Sequence, residues 1–402
     1  MDMESEGELV RFFKGTEKYM QEEMMSTDRM AMTDNACGEL LTYGIWSANT
    51  KFKNFIRKNL LGKQIAPEDR IFWPTGLIAD ALWRSRSDAA PTLQNKIDES
   101  LYVYFERWVK KGSPVFYLDD LLSGETFLGI YEEYIDNKLS GSILNKKNET
   151  TFKSAIDKLA EYALTYPTDE IGSLPYRPSQ GNGHIYVDSI GLACPFLYEY
   201  GRFNKKSEYM ELAIKQIANF LAYGIDASTG LPYHGYDVAT GTKHGIIGWG
   251  RAVGWLLRGM TGCMGSEFGE EKLLEFYIKL TDSVIKWQRK DGYFSWQLQA
   301  LEGPADSSAT AMICLSLSEG IKRQFLKGKS YGKVLDLGIR AIKKSIKNGR
   351  VYDCSGECEG FSQYPQRYGD YPWALAPTLQ ILDESFGDLD DSFKMYRLTP
   401  EA

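Results

Sequence analysis

The sequence predicts an all-α protein, a closed toroid of six helical hairpins, on two observations. A short segment rich in Gly, Ala and Leu, opened by a polar or small residue, recurs six times, and a longer segment with one charged face lies between successive copies. Helices apolar nearly all round belong inside and helices with a charged stripe belong outside, so the alternation describes an inner ring sheathed by an outer one. The period of roughly 50 to 70 residues is too long for the common short helical repeats and suits a helix, a long loop, a second helix and a short return.

The inner segments, in order, are Phe72 to Trp83, Asp119 to Tyr131, Asp188 to Leu197, Gly250 to Leu257, Asp306 to Leu315 and Tyr371 to Leu379. Small residues within them, such as Gly191, Ala193, Gly254 and Ala311, let neighbouring backbones approach closely. The outer segments are Glu39 to Asn59, Leu93 to Lys111, Phe152 to Leu164, Ser207 to Tyr223, Glu271 to Trp287 and Val334 to Ile346. Each carries apolar residues at i, i+3, i+4 and i+7 with charges elsewhere, which gives a helix with one wet face. Strand character is limited to short runs such as Ile185 to Val187 and Phe294 to Trp296. Residues 1–402 therefore read as one domain, with 1–35 as an N-terminal extension and 386–402 as a C-terminal tail.

Composition narrows the function. Lys and Arg number 47 against 54 Asp and Glu, a net charge of −7 that argues against nucleic acid or an anionic membrane surface as a partner. The acidic start Met1-Asp-Met-Glu lacks the basic then apolar order of a signal peptide, and no run of about 18 apolar residues occurs, so a cytoplasmic protein is expected. The six cysteines are scattered and read as free thiols, Cys354 and Cys358 included. No zinc-finger spacing, P-loop, dinucleotide fingerprint, nucleophile elbow or zincin motif occurs, so neither metal nor cofactor is expected. Oligomeric state is left open.

In a toroid, one mouth is lined by the starts of the inner helices and the loops before them. Asp119, Asp120, Asp188, Arg251 and Asp306 all fall there. An Asp at a helix start is ordinarily a cap that accepts backbone N–H bonds. Asp188 has a stronger claim to chemistry, because Ile185, Tyr186, Val187, Ile190 and Leu192 surround it, and apolar surroundings raise a carboxyl pKa toward the range of a proton donor. A helix amino terminus acts in the opposite direction. His234 lies in a loop of Gly, Pro and Tyr, and Trp249 and Trp255 bracket Arg251, with Arg251 and Trp255 one helical turn apart. Aromatic rings that stack on sugar faces, an arginine for a carboxylate and a carboxylic acid make a sugar site, with an oligosaccharide or disaccharide as the partner.

Several blocks together resemble the unsaturated glucuronyl and rhamnogalacturonyl hydrolases, glycoside hydrolase families 88 and 105. They are Leu118-Asp-Asp-Leu-Leu-Ser-Gly124, Tyr186-Val-Asp188 with Pro195-Phe-Leu197, Gly230-Leu-Pro-Tyr-His-Gly-Tyr-Asp237, Trp249-Gly-Arg-Ala-Val-Gly-Trp255 and Ser307-Ser-Ala-Thr-Ala-Met312. The resemblance implies an (α/α)6 barrel that removes a 4,5-unsaturated uronic acid from the non-reducing end of lyase-made oligosaccharides by hydrating its C4=C5 bond. Asp188 would then be the acid and base, and Asp119, or its neighbour Asp120, the second carboxylate. His184, His234, Trp249, Arg251 and Trp255 would bind substrate. Two departures bear on substrate choice: Asp306 stands where the family commonly has a glutamate, and Gly181-Asn-Gly-His184 replaces a Phe-Trp-His element. Arg177, Arg367 and Tyr368 are further candidates for substrate contact. An ordinary glycosidase or a sugar epimerase on the same fold, and a non-catalytic carbohydrate-binding protein, are the alternatives.

Overall fold

A computed structural model describes residues 27–387 apart from 63–70, 88, 139–142, 177–182 and 265–269. Helix α1 spans 27–42, followed by α2 (Ala48–Leu60), α3 (Trp73–Ser85), α4 (Pro91–Lys110), α5 (Leu122–Ile135), α6 (Glu149–Leu164) and α7 (Asp188–Asn204). Then come α8 (Ser207–Tyr223), α9 (Gly250–Gly262), α10 (Glu270–Ile285), α11 (Ser307–Lys322), α12 (Lys329–Ser345) and α13 (Pro372–Gly387). Helices α3, α5, α7, α9, α11 and α13 pack each against the next, and α13 packs back on α3, so the six inner segments close a ring. The expected toroid is present, and the inner helices begin within three residues of where their small, apolar composition placed them.

Small residues let the inner helices touch. A Cβ on Gly191 of α7 would lie 2.6 Å from both the ring and the backbone oxygen of Trp255 in α9, so only glycine fits. Gly254 of α9 meets Met312 of α11 in the same way. Partway down the ring, Arg258 donates to both oxygens of Glu125 at 2.8 and 3.0 Å, to Asp80 at 3.3 Å and to the Gly191 carbonyl at 2.6 Å. Gln380 donates to Asp80 at 2.9 Å, so one buried polar knot joins α3, α5, α7, α9 and α13. A cavity of about 750 Å³ opens among the later turns of these helices, away from the starts that carry the candidate residues.

The first outer helix differs from expectation. The segment Glu39 to Asn59 is broken, because Gly44 takes a positive φ of 89° and the Ser47 hydroxyl caps a new helix by accepting from the Thr50 amide at 3.2 Å. The outer position is filled by α1, whose Met32, Ala36, Cys37 and Leu40 are buried. Arg107 of α4 donates to the Leu41 carbonyl at 2.7 Å, and Asn35 reaches the turn after α12, so α1 lies between those hairpins. Residues 27–35 thus belong to the helical sheath, although they fall in the stretch read as an extension. Helix α2 has no buried residue.

Strands are short. Strand β1 (Ile185–Tyr186) pairs antiparallel with β2 (Gly235–Asp237), which pairs with β3 (Thr242–His244). Two further pairs follow, β4 (Ile346–Lys347) with β5 (Arg350–Val351), and β6 (Cys354–Ser355) with β7 (Tyr368–Gly369). The run Phe294 to Trp296 forms only the isolated bridge of Ser295 with Ala305. Sheet β1–β2–β3 joins the loop before α7 to the loop before α9, and that junction builds the site.

Candidate active site

Asp188 is the first residue of α7, but it is not a cap. The N-cap is Val187, with no side-chain cap bond, and the Asp188 carboxylate instead meets the imidazole of His234, Nε2 to Oδ2 at 3.1 Å. Sheet pairing sets this contact: β1 runs into Asp188, β2 begins just after His234, and the Val187 amide donates to the His234 carbonyl at 2.9 Å. Ile185, Val187, Ile190 and Leu192, its apolar neighbours in sequence, are all buried. The Asp188 side chain keeps 16% of its surface exposed whereas His234 keeps none, so the acid faces the mouth and the histidine stands behind it.

The tautomer of His234 follows from its second contact. Nδ1 lies 2.7 Å from the hydroxyl of Tyr364, and that hydroxyl also accepts from the Ile246 amide at 3.4 Å. Burial pushes the Tyr364 phenol well above its ordinary pKa, so the hydroxyl stays protonated, and with the Ile246 amide on its oxygen its O–H is directed at Nδ1. The other nitrogen then carries the hydrogen, and Nε2–H donates to Asp188. Rings hold the imidazole on its other sides. Trp249 lies 4.5 Å away between ring centroids, Tyr186 5.1 Å and Phe361 5.2 Å.

The remaining carboxylates separate by partner. Asp306 is the N-cap of α11, its Oδ1 accepting from the Ser308 and Ala309 amides at 2.9 and 3.4 Å. Asp120 accepts the Phe116 and Tyr117 amides at 2.7 and 3.3 Å, so it closes the turn ahead of α5. Asp119 sits beside it, 1% exposed, on the 3-10 turn Leu118–Leu121, and that turn packs against α7. The base-rate role of a helix-start Asp therefore holds for Asp306 and Asp120.

Arg251 departs from the expected role of waiting for a substrate carboxylate. It is 3% exposed and already engaged, donating to the Ser355 carbonyl at 2.9 Å, the Ser355 hydroxyl at 2.5 Å and the Gly356 carbonyl at 2.6 Å. Asp306 lies 3.7 Å from the same guanidinium, and the Trp249 and Trp373 rings stack on it at 4.7 and 5.7 Å. Its physical effect is to pin the loop after β6 to the start of α9. Trp249 and Trp255 are also buried: Trp249 supports His234, and Trp255 packs edge-on to Trp73 at 6.2 Å beneath the mouth.

His184 joins a different group. Its ring lies 4.5 Å from that of His244, and its Nε2 lies 4.0 Å from Asp237 Oδ2. Burial and then the neighbouring His184 push the His244 imidazole below its ordinary pKa. Phe361 stacks on His244 at 4.8 Å and on Tyr186 at 4.0 Å, which makes it the partition between this group and His234. Phe361 and the Ser355–Gly356 turn carried no motif, and Tyr364 was visible only as one of several loop aromatics. Of the further candidates, Arg177 lies outside the described residues, whereas Arg367 lies just before β7 and Tyr368 is its first residue, with its hydroxyl donating to Gln366 at 2.9 Å. The six cysteines are free thiols, as expected.

The sequence model of Glycosyl Hydrolase Family 88 matches residues 49–372, a span that takes in Asp119, Asp188, His234 and Arg251. The chain belongs to that family. As a family 88 member it is a glycoside hydrolase. Protein Atu3128 of Agrobacterium fabrum is 30% identical over 180 residues, which are 41% of this chain and 76% of that protein. Among solved structures, a possible member of the GH105 family from Klebsiella pneumoniae superposes with a TM-score of 0.74 at 16% identity, covering 89% of this chain and 92% of that one. The unsaturated glucuronyl hydrolase of Bacillus sp. GL1 superposes with a TM-score of 0.65 at 15% identity, covering 90% and 95%. These structural likenesses carry the fold, the same helical toroid. No helix among the described residues is long and apolar enough to cross a membrane.

Proposed function

We propose that this family 88 hydrolase releases a 4,5-unsaturated uronic acid from the non-reducing end of a lyase-generated oligosaccharide by adding water across the C4=C5 bond. The observation that carries this reading is the single carboxyl of Asp188, facing the mouth and oriented from behind by the buried pair His234 and Tyr364. An ordinary glycosidase works with two carboxylates, one on each side of the scissile bond. Here Asp120 is committed to backbone amides and Asp306 to an amide and the Ser355 hydroxyl, which leaves Asp119 as the one further carboxylate of that group, read as a binding residue and not as a second acid. The Bacillus sp. GL1 neighbour is named an unsaturated glucuronyl hydrolase, which supports the same chemistry.

In this reading Asp188, protonated, delivers its proton to C4, and positive charge develops at C5 beside the ring oxygen. The carboxylate left behind takes a proton from the water whose oxygen bonds to C5. The resulting hemiketal opens to a ketone at C5, leaving a hemiacetal at C1 that collapses to an aldehyde and expels the remaining sugar as an alcohol. One water is consumed. The Nε2–H of His234 steadies the carboxylate after its proton has gone. Asp119, on the turn packed against α7, is the second carboxylate and holds substrate hydroxyls. Trp249, Arg251 and Trp255 act by fixing the frame. Six free thiols suit a reducing compartment, which supports the cytoplasm as its location.

The test uses a panel of lyase-made unsaturated disaccharides together with their saturated counterparts. Wild type is expected to consume the ultraviolet absorbance of the C4=C5 bond and to leave saturated sugars intact. Asp188→Asn should slow that loss by about 10²- to 10⁴-fold, the range of a general acid–base group. Full activity in the variant, or cleavage of the saturated sugars, would overturn the reading.

A further inference from the structure

We propose that His184, Asp237 and His244 form a binding site for a first-row divalent cation of the zinc type, separate from the Asp188 pair. The three-stranded sheet delivers all three to one patch. His184 directly precedes β1, Asp237 ends β2 and His244 ends β3, with Ile185 opposite Tyr236 and Gly235 opposite His244 in the register. One donor atom from each side chain lies within 4.8 Å of the other two.

One donor, His244, is left in a way that packing alone does not explain, and the other two face it. Asp237 Oδ1 accepts the Thr240 amide at 3.3 Å, while Oδ2 lies 4.0 Å from His184 Nε2. His244 stacks flat on Phe361, 4.8 Å between centroids with 5° between planes, and its Nε2 is buried without a hydrogen-bond partner among the described residues. A buried ring nitrogen left unpaired costs free energy unless something outside the protein completes it. Two imidazoles and one carboxylate are the donor set of zinc and its neighbours, with a position left for water. Bonds of about 2.0–2.2 Å place tetrahedral donors about 3.4 Å apart, so closing this cluster takes shifts of about 1 Å, within reach of small side-chain rotations.

The site would act as a clamp. The same sheet carries Asp188 just beyond β1 and His234 just before β2, and Phe361 touches both His244 and His234. A cation drawing the three strands together would fix the seat of the Asp188–His234 bond without entering the reaction.

The experiment uses the full-length protein freed of metal by chelation. Zn²⁺ is added while calorimetry follows stoichiometry and thermal unfolding follows Tm, and Co²⁺ is added in parallel for its visible spectrum. The proposal expects one Zn²⁺ per chain, a rise in Tm, and Co²⁺ bands without thiolate charge transfer. His244→Ala should abolish the rise. Asp237→Asn, which keeps the volume and the oxygen facing Thr240, should weaken it at least tenfold in Kd and serves if His244→Ala unfolds. No binding by wild type, binding undiminished in the variants, or a thiolate signal pointing to Cys358 would each overturn the assignment.

Discussion

His234 Nε2 lies 3.1 Å from Asp188 Oδ2 across 46 residues of sequence, and Tyr364 binds the opposite nitrogen at 2.7 Å from 130 residues away. The imidazole is therefore fixed in both direction and tautomer before substrate arrives. His234→Ala should lower kcat by about 10²-fold or more, because the carboxylate loses its donor and its orientation. Tyr364→Phe keeps the ring and removes only the hydroxyl, so kcat should fall about tenfold with KM little changed. Steady-state kinetics on an unsaturated disaccharide checks both, and equal effects on KM would show a binding role instead.

Asp119 and Asp120 are adjacent but should fail in different ways. Asp120→Ala leaves the Phe116 and Tyr117 amides without their acceptor, which should cost about 1–2 kcal/mol of stability, the usual loss for a capping carboxylate. Asp119→Asn, which keeps the shape of the side chain, should lower kcat/KM by a larger factor than any loss of stability explains. Chemical denaturation beside kinetics separates them, and a large loss of stability in Asp119→Asn would make it a structural residue.

Gly191→Ala tests the inner ring. The added methyl would lie 2.6 Å from the Trp255 backbone oxygen, which cannot rotate away, so α7 and α9 must separate. Overpacking of this kind should cost about 1–3 kcal/mol and displace the start of α7 that carries Asp188. A lower midpoint in urea together with reduced kcat is expected. Unchanged stability would mean that the helices yield more easily than their packing indicates.

Asp226 ties together the turn after α8, accepting from the Ser228 hydroxyl and from the Thr229 amide and hydroxyl. Hydrogen bonds from Ser228 and Thr229 hold its carboxyl down from 3.8 to about 2. A carboxyl depressed in the folded state contributes stability that is present above its ordinary pKa and lost as pH falls through the folded value. Asp226→Ala should therefore melt below wild type at neutral pH, with the gap closing between about pH 4 and pH 2. A gap independent of pH would assign the effect to lost packing.

The inner ring was legible because its signals are local. Gly, Ala and Leu in short runs, each opened by a turn residue, specify a buried helix wherever the chain goes next, and α7 and α9 begin at the expected residues Asp188 and Gly250. The first outer helix was not legible in the same way. Apolar residues at helical spacing occur both in α1, which packs, and in α2, where Phe52 is 65% exposed, and periodicity cannot tell what will cover a face.

By itself the sequence determined the helical alternation, the toroid, and the placement of Asp119, Asp188 and Arg251 at or just before the starts of inner helices, since each depends on residues close together in the chain. The tertiary structure alone decided what each polar group does there. A carboxylate at a helix start has two sets of suitors, nearby backbone amides and side chains brought in by distant loops, and the fold decides which of them reach it. Asp120 accepts amides, Asp306 accepts the Ser308 amide on one oxygen and the distant Ser355 hydroxyl on the other, and Asp188 meets a histidine delivered by β2. Arg251 was claimed in turn by the Ser355–Gly356 turn, 104 and 105 residues away, a contact that no local pattern encodes.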